Sequence, residues 1–252
     1  MRISFLDQIA KEGNIFTVED VLKSTEIQRN VLWVILSRLE KKGWIERVEK
    51  GKYMIVPLGA EKGKYTLNEF IIASILVEPS CIAYWSALNF YGLTEQIPGT
   101  VFIQTTSRKK KRHIDIFGVH YRIIKLKEER IFGVRKEWIN GEAINITDRE
   151  KTIIDCLDKP QYCGGVVEVA KALKSESIDR KKLADYAGQI GNSGVMRRLG
   201  YLCDFLGVDI SLPLIETRNY LLLDHSMPHK GSRNSKWRLV INLDERILGR
   251  LE

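Results

Sequence analysis

Residues 17–56 read TVEDVLKSTEIQRNVLWVILSRLEKKGWIERVEKGKYMIV, and their patterning decides the fold of the N-terminal part of the chain. Thr17, with Asp20 three positions later, predicts a helix that begins with a variant capping box. A short turn after Thr25 separates this helix from another over about 27–42. Apolar residues at helical spacing before Gly13 indicate a further helix over roughly 2–12.

The helix over 27–42 has two chemically distinct faces. At about 100° per residue, one apolar arc forms that must pack on the preceding helices. This arc comprises Val31, Leu32, Ile35, Leu36 and Leu39. The opposite arc comprises Arg29, Asn30, Trp33, Ser37 and Lys41. Because Arg and Asn can bond base edges, while Ser and Lys can meet phosphates or bases, this second arc suits a groove of duplex DNA.

A β-hairpin with a basic tip follows this helix. WIERVEKGKYMIV (44–56) turns at Lys50-Gly51, where glycine supplies the positive φ of a tight turn. The order of elements predicts a winged helix-turn-helix DNA-binding domain over residues 1–62. The side chains expected to contact DNA are Gln28, Arg29, Asn30, Trp33, Ser37, Lys41, Arg47, Lys50 and Lys52. The alternative is a three-helix packing unit whose hairpin charges are merely solvated.

Residues 63–252 predict a larger mixed α+β domain. The boundary is expected within the glycine-rich, charged stretch PLGAEKGKY (57–65). Capping boxes at Thr66-x-x-Glu69 and Thr147-x-x-Glu150 predict two of its helices. Further helices are expected over about 80–91, 165–174, 179–190 and 193–206, and strands over 100–107, 119–126, 219–224 and 237–243.

Composition limits the class of protein. The chain is 44% apolar and 29% charged, as in a globular protein with real cores. No apolar run approaches the ~20 residues that span a bilayer, and the start has no secretory leader. We therefore expect a cytoplasmic protein that does not engage a membrane. The four cysteines lack the spacing of a zinc site, so no metal or cofactor is expected.

The net charge of +8 favours polyanionic partners. Residues 1–62 hold 11 Lys/Arg against 9 Asp/Glu, so most of the excess lies beyond the predicted winged helix. One cluster, RKKKR, joins two predicted strands. Its members, Arg108, Lys109, Lys110, Lys111 and Arg112, are either a second surface for phosphates or an acidic partner, or a solvated loop.

Three further phrases carry a family resemblance. CIAYWSALNFYGLTEQIP (81–98), INITDREKTIIDCLDKPQYCGGVVEVAKAL (144–173) and the terminal W-x-L-x-x-N (237–242), together with the winged helix, resemble the AbiEi family of antitoxin-like transcriptional regulators. This resemblance runs over nearly the whole chain. It implies a winged helix that binds inverted repeats in its own promoter and represses it. It also implies a larger domain that counteracts a neighbouring nucleotidyltransferase-like toxin, in a type IV toxin–antitoxin system.

Patterns that would indicate an enzyme are weak. His113-x-Asp115 with His120 could place metal ligands on one strand face, but no acidic cluster is near in sequence. Gly164-Gly165 could cradle a phosphate at a helix start, yet the paired carboxylates of a nucleotidyltransferase do not follow it. Asp148-Arg-Glu150-Lys151 has the wrong spacing for a restriction-type nuclease. We therefore expect no catalytic site.

The sequence thus predicts a regulator that binds duplex DNA. The resemblance implies that its partners are inverted repeats in its promoter and a nucleotidyltransferase-like toxin, and palindromic sites would call for a second copy of the chain on DNA. Two alternatives stay open. One is a stand-alone winged-helix transcription factor without a toxin. The other is a nucleic-acid-processing enzyme that a winged helix targets to its substrate.

Overall fold

The computed structural model describes Leu6 and residues 9–10, 13–57 and 67–249. The predicted helix over 2–12 and the predicted boundary at residue 62 lie largely outside these described residues. Thr66 also lies outside them, but the predicted capping box is wrong, because the cap of the helix over Glu69–Leu76 is Asn68, whose side chain accepts from the Phe70 amide at 2.9 Å. Within the described residues no helix is long and apolar enough to cross a membrane.

The N-terminal unit has the order of a winged helix. Its elements are β1 (Ile15–Thr17), α1 (Val18–Ser24), α2 (Arg29–Lys41), β2 (Ile45–Glu49) and β3 (Lys52–Ile55). Its strands form an antiparallel sheet in the order β1-β3-β2. The predicted capping box is confirmed, because Thr17 Oγ1 accepts from the Asp20 amide at 3.1 Å and the Asp20 carboxylate accepts from the Thr17 amide at 2.9 Å.

A small core holds α2 against the rest of this unit. Leu32, Leu36 and Leu39 are buried and pack with residues of β1, α1 and the hairpin. One member of the predicted apolar arc is wrong, because Val31 is 47% exposed. The buried face is centred on Leu32, Leu36 and Leu39, and it is therefore narrower than the sequence pattern indicates.

A six-stranded mixed sheet forms the centre of the larger part. Its elements are α3 (Glu69–Leu76), β4 (Cys81–Ile82), α4 (Tyr84–Phe90), β5 (Thr100–Thr105), β6 (His113–Ile116), β7 (Val119–Lys125), β8 (Val134–Ile139) and β9 (Glu142–Thr147). The strand order is β6-β7-β5-β4-β9-β8, so β6 and β8 are the edges. Val101 and Ile103 of β5 pack on the side covered by α3, whereas Phe102 packs on the other side, as the two-residue period of a strand requires.

A helical layer covers that other side of the sheet. It comprises α4, α5 (Arg149–Asp158), α6 (Val166–Leu173), α7 (Arg180–Gln189) and α8 (Ser193–Leu206). A small sheet of β10 (Leu221–Leu222), β11 (Ser232–Asn234) and β12 (Leu239–Ile241) follows, and α9 (Glu245–Gly249) ends the described chain. Trp237 is buried, and its ring packs at Gly200 of α8. The predicted α+β fold class is confirmed.

Three local predictions need correction. Residues 81–82 form β4 in the middle of the sheet and do not begin a helix. The cap of α5 is Asp148, whose carboxylate accepts from the Lys151 amide at 2.8 Å, because Thr147 is still the last residue of β9. The hairpin of β8 and β9 is absent from the sequence-based prediction.

The winged helix and the larger part share apolar packing. Val48 of β2 and Met54 of β3 are buried in the same cluster as α3 and the inner strands of the six-stranded sheet. The Glu142 carboxylate of β9 also accepts from the Asn14 amide. One face of the hairpin is therefore part of the core of the larger domain.

Candidate nucleic-acid interface

The exposed face of α2 is the first component of the candidate interface. The exposed residues of α2 are Arg29, Asn30, Val31, Val34, Ser37, Arg38 and Lys41. Asn30, Ser37 and Lys41 are among the residues that the sequence predicts for DNA contact. The sequence-based prediction missed Val34, which is 49% exposed, and Arg38. Val34 is apolar, and Arg38 lies outside the polar arc of the predicted helix, so neither is an evident candidate for DNA contact.

Two of the predicted α2 residues, Arg29 and Trp33, contact other side chains of the N-terminal unit. The Arg29 guanidinium lies 3.1 Å from the Glu19 carboxylate of α1, and both side chains are more than half exposed. An exposed ion pair of this kind is weak, typically about 0–1 kcal/mol, so Arg29 can exchange Glu19 for a phosphate or a base. Trp33 is half-buried against the N-terminal core and does not project freely. Gln28 is exposed at the N-cap of α2, where its carbonyl accepts from the Leu32 amide at 2.9 Å.

The wing, which we define as residues 45–55, is the second component. Its strands pair through Glu49 and Lys52, and Gly51 has a φ of +77°. A non-glycine residue would be strained there, which accounts for glycine at the tip. Arg47 and Lys50 are both exposed. The wing therefore presents two cations to solvent in the manner expected of a phosphate contact.

Lys52 differs from the other predicted wing contacts. Its ammonium donates to the Leu76 carbonyl at 2.8 Å and lies 3.4 Å from the Glu49 carboxylate, and its side chain is only 22% exposed. Burial lowers the pKa of Lys52, as does the nearby Lys109. This side chain ties the wing to the end of α3, so its geometry does not match that of Arg47 and Lys50.

The basic connection, residues 108–112 between β5 and β6, also divides into two kinds of residue. Lys109 is half-buried and donates both to the Glu49 carboxylate at 2.7 Å and to the Leu76 carbonyl at 2.5 Å. The other members are exposed, and they are Arg108, Lys110, Lys111 and Arg112. The structure therefore brings this connection against the wing, 60 residues away in sequence.

The patterns weighed as enzyme sites take other roles. Asp115 and His120 are an exposed cross-strand pair on β6 and β7, and their side chains contact each other. Among the described residues no group of three His, Cys, Asp or Glu side chains could hold a metal ion. Gly164-Gly165 precedes α6, but the Asp224 carboxylate already accepts from the Val166 amide at 2.7 Å. A Cβ at Gly165 would lie 2.8 Å from that carboxylate, so an internal anion occupies the place a phosphate would need.

The phrase DREK lies in a buried network instead of an active site. The Lys182 ammonium of α7 lies 2.9 Å from the Asp148 carboxylate and 3.0 Å from that of Glu150. Lys151 is fully buried and pairs with Asp155 one helical turn later. These contacts join α5 to its neighbours and give three of the four charged residues, Asp148, Glu150 and Lys151, partners within the protein.

The fold and the exposed helix face place the N-terminal unit among the winged-helix proteins. Residues 4–56 match the family described as transcriptional regulator, AbiEi antitoxin. The resemblance to the AbiEi family is thus confirmed, on a segment that makes up about a fifth of the chain. No curated protein sequence matches this chain.

A solved structure is similar over almost the whole length. The crystal structure of the Rv2827c protein from Mycobacterium tuberculosis superposes with a TM-score of 0.64 at 14% sequence identity. The similarity covers 98% of this chain and 92% of the other. At this identity the likeness shows a shared fold.

Proposed function

We propose that the protein is a sequence-specific, DNA-binding transcriptional regulator that represses its own promoter in the cytoplasm. The observation that carries this proposal is the exposed polar face of α2 next to a wing with two exposed cations, within a segment that matches a family of regulators. Repression would follow from occlusion of the promoter, so no catalytic step is part of this function.

In this proposal α2 enters the major groove. Asn30 is placed to bond an adenine edge, Val34 to contact a thymine methyl group, and Ser37 and Lys41 to meet bases or phosphates further along the helix. Gln28, Arg29 and Trp33 lie at the start of the same helix and complete the predicted surface. Arg47 and Lys50 would hold the flanking backbone, while Lys52 positions the wing.

Inverted repeats require two copies of the protein. A twofold-symmetric site is bound either by a dimer or by two monomers side by side on the DNA. Titration of a half-site and of a full repeat separates these two cases, because a preformed dimer binds the full repeat in a single step.

The test uses the full chain and the DNA upstream of its own gene. Fluorescence anisotropy should show tighter binding to that promoter than to a duplex of the same length and scrambled sequence. A promoter–reporter fusion should be repressed when the protein is expressed. Equal affinity for both duplexes would remove sequence-specific regulation as the function.

A second candidate function is the neutralisation of a toxin by the larger domain. The observation in its favour is β8, an edge strand whose Trp138 is 68% exposed and whose Val134 is 41% exposed. Large apolar side chains on an exposed edge are typical of a protein-binding surface. The family resemblance points to a nucleotidyltransferase-like toxin as the partner.

Co-expression of the full chain with a nucleotidyltransferase-like toxin encoded beside it tests this function. A variant impaired in DNA binding, such as Asn30→Ala, should still rescue growth, whereas Trp138→Glu should not. Deletion of the winged helix is a poorer test than a point variant. Removal of residues 1–62 would expose the core of the larger domain, to which Val48 and Met54 contribute. Failure of the wild-type chain to rescue would leave a stand-alone regulator.

A further inference from the structure

We infer that the basic connection and the wing form one continuous DNA-contacting surface, in which Lys109 and Lys52 position the cations around them. This inference rests on the proposed function and extends its footprint beyond α2 and the wing. The four contacting side chains that it adds are Arg108, Lys110, Lys111 and Arg112.

The wing and the basic connection donate to the same carbonyl at the end of α3. The Leu76 carbonyl, at the last residue of α3, accepts from Lys52 of the wing at 2.8 Å and from Lys109 of the basic connection at 2.5 Å. The last carbonyls of a helix lack partners within the helix and carry partial negative charge, so they suit two ammonium groups. Two segments distant in sequence are thereby held at one point.

The Glu49 carboxylate closes the same cluster. It lies 2.7 Å from the Lys109 ammonium and 3.4 Å from that of Lys52. Burial acts to raise the pKa of Glu49, but the two ammonium groups outweigh it and hold the pKa below its ordinary value. The acid nearest the wing tip is therefore engaged by internal cations.

The exposed cations follow directly from these anchors. Glu49 immediately precedes Lys50 at the tip, and Arg108 and Lys110 immediately flank Lys109. Adjacent Cα atoms are about 3.8 Å apart. The backbones of the three exposed cations, Lys50, Arg108 and Lys110, are therefore each one residue away from Glu49 or Lys109, which pair with each other. The Ser107 hydroxyl also donates to the Glu78 carbonyl, which fixes the base of the connection just beyond α3.

Duplex DNA is the partner that this arrangement fits. DNA carries one negative charge per about 1.7 Å of helix axis, so a row of cations beside the wing can meet successive flanking phosphates. A wing placed on DNA would bring the connection close to the same duplex. The anchored geometry also limits the side-chain and loop ordering that binding would otherwise require.

The test is the salt dependence of binding by a variant in which Arg108, Lys110, Lys111 and Arg112 are all changed to Gln. Each phosphate contact contributes about 0.9 to the slope of log K against log salt, so the slope should flatten by roughly two to four units. The matched control changes Arg180, Lys181, Arg218 and Lys230 to Gln, which are exposed and lie on α7 and in the C-terminal segment. A change no larger than that of the control overturns the inference.

A second measurement locates the contact. Shortening the duplex flanks on both sides of the repeat should weaken wild-type binding more than binding by the quadruple variant, because the flanking phosphates meet the connection. Equal weakening of both proteins overturns the inference. Absence of specific binding by the wild-type chain is a separate result, which contradicts the proposed function itself. Thermal unfolding checks that both Gln variants remain folded.

Discussion

Lys109 of the basic connection places its ammonium 2.7 Å from the Glu49 carboxylate at the end of β2. The wing is therefore fixed to the larger domain by an ion pair as well as by the buried Val48 and Met54. A wing held in this way presents Arg47 and Lys50 in a defined orientation. A partner that displaced the basic connection would therefore also disturb the DNA-contacting surface.

The variant Glu49→Gln separates positioning from net charge. The substitution makes the protein more positive by one charge, so long-range electrostatics alone would tighten binding to DNA. Loss of the carboxylate also removes the anion that Lys109 and Lys52 share, so the wing is held less firmly to the basic connection. On our proposal specific binding then weakens several-fold. Anisotropy titrations at two salt concentrations measure the sign of the change.

Glu46→Gln is the matched control for that measurement. Glu46 lies on the same strand and its loss adds the same charge. We expect binding to stay equal or to tighten. If Glu49→Gln behaves like Glu46→Gln, the ion pair has no positioning role.

Asn30→Ala tests the groove-facing side of α2. Asn30 is exposed on the first turn of the helix, and its side-chain oxygen accepts from the Val31 amide at 2.9 Å. Loss of one good base contact costs roughly 1–3 kcal/mol of discrimination. We therefore expect weaker binding to the promoter and little change with scrambled DNA. Lys23→Ala, an exposed change on α1, serves as the control and should leave discrimination intact.

The sequence predicts much of this interface because its signals are local. Periodicity places Leu32, Leu36 and Leu39 on one face, and Gly51 marks the hairpin turn. The different role of Lys52 depends on the Leu76 carbonyl, 24 residues further along the chain. Neither composition nor spacing contains that long-range contact, so a basic residue beside the tip is naturally taken for a phosphate contact.

The larger domain was less predictable for a similar reason. Residues 81–82 are too short a strand for any periodicity, and they become a strand through pairing with β5 and β9. A local signal for the β8–β9 hairpin did exist and was missed. Asn140 and Gly141 both have positive φ, and Asn-Gly between strand-forming residues is a strong hairpin signal.

Stability should decrease on mild acidification because of His225. Its Nε2 lies 2.9 Å from the Arg198 guanidinium. Burial lowers the pKa of His225, and so do Arg198 and His229, against an opposing effect of Asp224. Since the unfolded-state pKa is about 6.5, the stabilisation is complete above that pH and is lost as pH falls through the lower folded pKa. Urea denaturation at pH 7.5 and 5.5 should show this loss, and His225→Asn should reduce it.

Lys151→Met should destabilise the fold strongly. The Lys151 side chain is fully buried, pairs with Asp155 and lies 4.6 Å from the centre of the Phe132 ring. Gln104 also donates to the Asp155 carboxylate at 2.8 Å. Removal of the cation would leave a buried carboxylate without its counter-charge, which typically costs about 3–5 kcal/mol. Chemical denaturation at pH 7 measures the loss.

The matched double variant Lys151→Met with Asp155→Asn shows whether the unpaired charge is the cause. Burial already raises the pKa of Asp155 with Lys151 present, and loss of the ammonium removes the main opposing influence. In the single variant the folded pKa then lies further above the unfolded value of about 3.9, so stability falls as pH rises through that window. The double variant lacks the titrating group, so it should recover stability at pH 7 and lose this pH dependence. Equal stability of the two variants at pH 7 would attribute the loss to altered packing of the Lys151 side chain.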